Sequence, residues 1–333
     1  MVKHLLFFCF CILYLCSAGH GNPELSPSQS AQNTDDIPTG SIDDTEFSVT
    51  IIGSGNPQYN PERSGPSALV QYKGIKFLVD MGNGTRAQLE KLGFVRRKSP
   101  DALLITHHHL DHNEEFIPMV HQKFMMSETF LIAGPSPIKE MTNYVAKFYN
   151  EDLDYRMKNK GQSFDKNHTK AIVKELKGDT SFVWKDVKIS TTEVPHSIYT
   201  LAYRFDAGGK SIVISGDLSY TSNLAKLAKD ADILVIDSQI IRKNARKNRP
   251  STTRRNSNKP GNSAHASIEE AARMAADANV KTLIVTHLPN ANIDEEATKA
   301  KIAEQFSGKI LIARDFLSAS CNGQIFMQEQ ISK

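Results

Sequence analysis

The sequence predicts an α/β fold, and three observations predict it. Short apolar and β-branched runs alternate with helix-period segments in each half of the chain, as layered α/β domains require. Several of those runs end on a His or an Asp, the pattern of buried strands that deliver side chains to one edge. With the terminal segments set aside, residues 47–333 form one domain long enough to bury a substantial core.

Taken in order, strands are expected at 47–53, 67–72, 75–80, 101–106 and 129–133, with helices at 85–93, 113–122 and 136–149. The second half is expected to place strands at 182–193, 199–205, 211–216, 232–237, 281–286 and 309–313. Its helices are expected at 222–229, 267–277 and 294–306. The helix at 267 has the clearest start: Ser267 can cap it, and Glu269 and Glu270 sit in its first turn.

The strand run Ala102-Leu103-Leu104-Ile105 leads into Thr106-His107-His108-His109-Leu110-Asp111-His112. Imidazole is a common metal ligand, and an ionised carboxylate is a natural oxygen donor. His107 and His109 share a face if the extended backbone continues. Asp111 and His112 follow at the turn and can reach a second ion. The chain has 11 histidines, and seven of the nine beyond position 20 are His107, His108, His109, His112, His196, His265 and His287. That concentration points to a metal centre.

The pattern His-x-His-x-Asp-His resembles the metallo-β-lactamase superfamily, and the likeness continues along most of the chain. The remaining ligands look like His196 after Glu193-Val194-Pro195, Asp217 after Val213-Ile214-Ser215-Gly216, and His287 after Leu283-Ile284-Val285-Thr286. The resemblance implies a four-layer αββα sandwich, two sheets back to back with helices outside. It implies two zinc ions, with manganese or iron as substitutes. By resemblance His107, His109 and His196 would hold one ion, and Asp111, His112 and His287 the other. Asp217 would bridge them.

Within the superfamily, the chain is most similar to the branch of ribonuclease Z and its phosphodiesterase and arylsulfatase relatives. Ile51-Ile52-Gly53-Ser54-Gly55 looks like that branch's Gly-rich strand end. Leu78-Val79-Asp80-Met81-Gly82-Asn83-Gly84-Thr85 is similar to its Asp-Cys-Gly-Glu-Gly-Thr turn, with Met81 and Asn83 in place of Cys and Glu. His265-Ala266-Ser267 resembles its His-Ser-Thr loop. The resemblance implies a catalytic set of Asp111, His265 and Asp237, in which His265, oriented by Asp237, protonates the leaving group. The ion pair would activate water. Asp80 reads equally well as the partner of a ligand histidine or as a turn residue. His108, between two ligands, is expected to pack or to support them, and His121 and His168 have no motif context.

Ribonuclease Z proper carries a long arm between its third histidine and its bridging aspartate. Here 21 residues separate His196 from Asp217, a span that two strands and their turn consume. The expected function is therefore hydrolysis of phosphodiester or aryl sulfate esters. The alternatives are a ribonuclease Z-like endonuclease and a non-catalytic, metal-dependent binder of nucleic acid or another anion. A zinc β-lactamase is disfavoured, because such enzymes usually place a cysteine where Asp217 stands.

The N-terminus has the layout of a secretory signal peptide over residues 1–20. Lys3 and His4 precede apolar Leu5 to Leu15, and Cys16-Ser17-Ala18 offers a cleavage site. Export to a periplasmic or extracellular location is expected, with no stable membrane span once the leader is removed; retention as an anchor is the other reading. Residues 21–46 are polar, without apolar period, and read as a disordered linker. Cys9, Cys11 and Cys16 lie in the leader, so the mature chain keeps only Cys321 and forms no internal disulfide.

The net charge of +3 hides an uneven distribution. Arg242, Lys243, Arg246, Lys247, Arg249, Arg254, Arg255 and Lys259 form a basic stretch without an acid, joining Asp237 to His265. Positive charge there would draw an anionic small-molecule ester or a nucleic-acid-like substrate. The sequence leaves room for a homodimer.

Overall fold

In the computed structural model, which describes residues 37–41, 43, 46–126, 128–165, 169–243 and 264–331, sixteen strands form two sheets and eight α-helices cover them. The expected signal peptide, most of the linker, His168 and most of the basic stretch 242–259 lie outside the described residues. The strands of the first half are β1 (Thr39–Gly40), β2 (Ser48–Gly53), β3 (Ser67–Tyr72), β4 (Ile75–Val79), β5 (Ala102–Leu104), β6 (Phe130–Gly134) and β7 (Ala171–Glu175). There follow β8 (Thr180–Trp184), β9 (Val187–Val194), β10 (Thr200–Ala207), β11 (Lys210–Ile214), β12 (Ile233–Asp237) and β13 (Thr282–Thr286). The last are β14 (Lys309–Ile312), β15 (Leu317–Ser320) and β16 (Ile325–Gln328).

One sheet has the order β1-β16-β15-β2-β3-β4-β5-β6-β7, the other β14-β13-β12-β11-β10-β9-β8. Period-two alternation in the central strands builds two cores at once. Phe77, Val79, Ala102, Leu104, Leu131 and Ala133 belong to the cluster shared with the second sheet. Leu78, Leu103, Ile105, Phe130 and Ile132 belong to the cluster shared with helices α1 (Thr85–Lys91), α3 (Phe116–Phe124), α4 (Ile138–Phe148) and α5 (Asn150–Lys158). On the second sheet, α6 (Ser222–Leu227), α7 (Ile268–Asp277) and α8 (Glu295–Ala303) bury Leu224, Met274 and Ile302. The result is the four-layer αββα sandwich. Strands covered on both faces read as unbroken apolar runs, which is why they were legible.

Three expectations need correction. The run 182–193 is two strands: the chain reverses at Lys185 (φ 51°) and pairs Trp184 with Val187. No Gly or Pro marks that turn. The helix expected at 113–122 is α2 (Leu110–Asn113) followed by α3. Glu115 interrupts it, because its amide donates to Met81 O and its carboxylate accepts from Gly84 N and Arg86 N. The polar linker is ordered at its end, where β1 pairs in parallel with β16. Cys321 is buried, and burial pushes its thiol up to about 12.

Candidate active site

The edge formed by the C-terminal ends of β4, β5, β9, β11, β12 and β13 collects every residue singled out as a ligand or proton donor. Asp80 follows β4, His107 to His112 follow β5, His196 follows β9, Asp217 follows β11, Asp237 closes β12 and His287 follows β13. Tight local backbone aims them. Asp80 and His287 both hold left-handed φ, 61° and 62°, an arrangement that surrounding structure must enforce on a residue with a Cβ. Gly82 is required by contact, since a Cβ there would sit 2.3 Å from Asp111 O.

His107, His109, His196 and Asp217 form the first donor group. His107 Nε2 and His196 Nε2 lie 3.0 and 3.1 Å from His109 Nδ1, and 3.8 and 3.7 Å from Asp217 Oδ2. Asp111, His112 and His287 form the second, and Asp217, Asp237, His265 and His287 make a further cluster that overlaps both. In the second group His287 Nε2 is 3.3 Å from Asp111 Oδ2, and His112 Nε2 is 3.5 Å from the same oxygen. Asp217 reaches into both groups, with Oδ1 3.2 Å from His112 Nε2 and Oδ2 3.4 Å from His287 Nε2.

The outer nitrogens of the imidazoles are fixed by the chain. His112 Nδ1 bonds Asp80 Oδ2 at 2.8 Å, and His196 Nδ1 bonds Ala264 O at 2.8 Å. Asp80 is held in turn by Thr106, whose amide and hydroxyl donate to it at 2.8 and 2.7 Å. Such partners select the tautomer that turns the other nitrogen toward a cation. Asp80 thus has both roles considered for it, turn residue and histidine partner.

Charge decides whether a cation fits. Asp80, Asp217 and Asp237 are buried, and Asp111 is nearly so. His112 Nε2 is buried without a hydrogen-bond partner, aimed at Asp217 and Asp111. Burial holds His107 far below the ordinary imidazole range and also lowers His196, so both are neutral donors. Burial pulls His112 and His287 down too, yet Asp217 with Asp80, and Asp217 with Asp237, outweigh it and raise them. The bare chain therefore puts protons where divalent cations would go. Buried carboxylates and imidazole nitrogens that the bare chain can satisfy only with protons fit metal ions.

His265 stands beside this cluster. Its Nδ1 is 2.7 Å from Asp237 Oδ2 and 3.9 Å from Asp217 Oδ2, and its side chain is more open to solvent than those of His107, His112, His196 and His287. The hydrogen bond to Asp237 raises its pKa, against burial. Burial and the neighbouring Asp217 raise Asp237.

Residues 76–288 match the model of the β-lactamase superfamily domain. The chain is 31% identical to ribonuclease Z of Mycobacterium marinum over 279 residues, covering 80% of this chain and 96% of that one. It is also 31% identical to ribonuclease Z of Mycobacterium tuberculosis H37Rv over 273 residues, with 80% and 95% covered. The chain belongs to the metallo-β-lactamase superfamily, in its ribonuclease Z branch. Among solved structures it is similar in fold to the metallo-β-lactamase fold protein YhfI of Bacillus subtilis (TM-score 0.62, 22% identity, 83% and 99% covered). The short form of human tRNase Z is also similar (TM-score 0.58, 19% identity, 83% and 99% covered). This superfamily member is a metal-dependent hydrolase acting on ester bonds.

Among the described residues the two remaining histidines, His108 and His121, fall away from the donors. His108 Nε2 bonds Pro135 O at 3.0 Å, and His121 pairs with Asp152 at 2.8 Å on the helical layer. Sequence reading missed Thr106, adjacent to a ligand but unremarkable by type. It also missed Asp315, whose carboxylate accepts from Ser54 N and Oγ, Ser64 N and Gln88 Nε2. Through Ser54, whose carbonyl accepts from Leu288 N, Asp315 steadies the residue after His287. No motif marks it.

Proposed function

We propose that the chain is an exported phosphodiesterase that works with two zinc ions, and that aryl sulfates are a lesser class of substrate. The observation that carries this reading is the reach of Asp217 into both donor groups, with His265 held by Asp237 at 2.7 Å beside them. His107, His109 and His196 would hold one ion, and Asp111, His112 and His287 the other, with Asp217 common to both. Bound there, the ions supply Lewis acidity toward a phosphoryl oxygen and acidify water.

The chain's own groups do the rest. Asp237 fixes His265 Nδ1 and so sets the ring to give a proton to the leaving oxygen, the role of a general acid. His287 Nδ1, 3.5 Å from Asp237 Oδ1, shares that carboxylate, which couples the proton donor to the metal side. The link between His196 and Asp217 is the β10–β11 hairpin, which leaves no room for a substrate-gripping arm. Both flanks of the basic stretch lie at this edge: Lys243 N donates to Asn292 O, and Ala264 O accepts from His196. Its cations would recruit the anionic ester.

The test pairs metal analysis with hydrolysis of bis(p-nitrophenyl) phosphate and p-nitrophenyl sulfate by the native chain. Two zincs with faster phosphodiester cleavage is the expected result; two zincs with neither activity contradicts it. Recovery of the protein outside the cytoplasm tests export.

A further inference from the structure

On the helical layer, α1, α3, α5 and the 3-10 turn Arg96–Lys98 border an open groove of about 1300 Å3. That exceeds the roughly 300–1000 Å3 that hold a drug-sized ligand. None of the candidate metal ligands lines it. Val95, Ile117, Pro118, Met125, Met126 and Tyr149 supply its apolar surface. That surface continues past the rim. The Phe148 ring meets Tyr149 edge-on at 4.9 Å and stacks on Tyr144 at 5.3 Å, and Phe148 and Tyr144 are 63% and 53% exposed. The charges of the groove are unequal. Asp152 is already paired, with Arg156 Nε and His121 Nε2 each 2.8 Å from its Oδ2. Arg86, Arg96, Arg97 and Lys160 then face only Glu90 and Glu128, a surplus of two positive charges. The guanidinium groups of Arg86, Arg96 and Arg97 have no ion-pair or hydrogen-bond partner among the described residues.

We infer that this groove binds a single-chain anionic amphiphile, a carboxylate or phosphate carried on a long alkyl chain, at a site separate from the hydrolytic centre. Unpaired arginines supply the parallel N–H donors that such a head group accepts. The alkyl chain gains by covering the apolar surface, and the flexible thioethers of Met125 and Met126 adapt to it. A polyanion is disfavoured by Glu90 and Glu128 in the same lining, and by apolar surface that a charged backbone cannot cover. The site does not depend on the reaction proposed above.

The test is titration calorimetry of the zinc-loaded full chain with monomeric dodecanoate, octanoate and the uncharged detergent decyl maltoside. Dodecanoate is expected to bind roughly tenfold more tightly than octanoate, the factor that two covered methylenes supply. A carboxylate held by the zinc ions instead would bind alike at both chain lengths. The Arg86→Gln, Arg96→Gln, Arg97→Gln triple variant should weaken dodecanoate about tenfold and leave decyl maltoside unchanged. The Val95→Gln, Ile117→Gln double variant should remove most of the difference between the two carboxylates. All five side chains are exposed, so both variants keep the fold. Equal affinity for the two carboxylates, binding of neither, decyl maltoside bound as tightly as dodecanoate, or native affinities in either variant overturns the site. Binding to phosphatidylglycerol vesicles without binding of free dodecanoate assigns the surface to a bilayer and overturns the site too.

Discussion

Asp80 Oδ2 lies 2.8 Å from His112 Nδ1, which leaves His112 Nε2 as the buried, partnerless nitrogen at the centre of the site. One carboxylate at the end of β4 thereby sets the ligand state of an imidazole 32 residues away. Asp80→Ala should weaken metal binding by about 10- to 100-fold, the usual effect of losing such a partner. Competition of the variant against a fluorescent chelator measures it. Native-like affinity would deny Asp80 that role.

His265 lies outside the set that would hold the metals. His265→Ala should lower kcat for bis(p-nitrophenyl) phosphate by about 10²- to 10⁴-fold. Its zinc content should match the native protein. A variant that turns over normally would remove His265 from the reaction.

Metal removal should cost stability, because the buried carboxylates lose a divalent counter-charge that protons on His112 and His287 replace only in part. At a free-metal level a thousand times Kd, bound zinc contributes about 4 kcal/mol. Dialysis against a chelator should lower Tm, and added zinc should restore it. An unmoved Tm would mean that metal and folding are uncoupled.

Cys321 gives a test of the core that is independent of the site. Its thiolate, the reactive form, appears only as pH rises toward about 12, since burial raises its pKa. At pH 8 a thiol-disulfide dye should label native protein far more slowly than urea-unfolded protein. Equal rates would show that the strand β15 end is open.

The basic stretch predicts a salt effect. Replacing Arg246, Lys247, Arg249, Arg254 and Arg255 with Gln should raise KM at low ionic strength and flatten its salt dependence. Unchanged kinetics across 20 to 500 mM salt (values on the order of the screening range) would deny recruitment.

Much of this was legible in the sequence because burial and chemistry coincide there. Leu103-Leu104-Ile105 and Leu283-Ile284-Val285 are covered on both faces, so they read as apolar runs ending on His or Asp. The site was readable for the same reason: its donors are rare residue types at strand ends. What stayed hidden depends on long-range contact. Asp315 is separated by more than 220 residues from the groups it holds, and nothing in Ala313-Arg314-Asp315 announces them. The β8–β9 turn was missed because Lys185 adopts a left-handed conformation that its type does not advertise. Strands β7 and β16 are half exposed, and each carries an apolar run of only three residues.

The most direct test of the central claim is zinc stoichiometry and bis(p-nitrophenyl) phosphate hydrolysis in native protein and in Asp217→Ala. The native chain should hold two zincs and cleave the ester; loss of the shared carboxylate should lower metal content and abolish turnover. An Asp217→Ala protein that keeps two zincs and native turnover would contradict a site built around that residue.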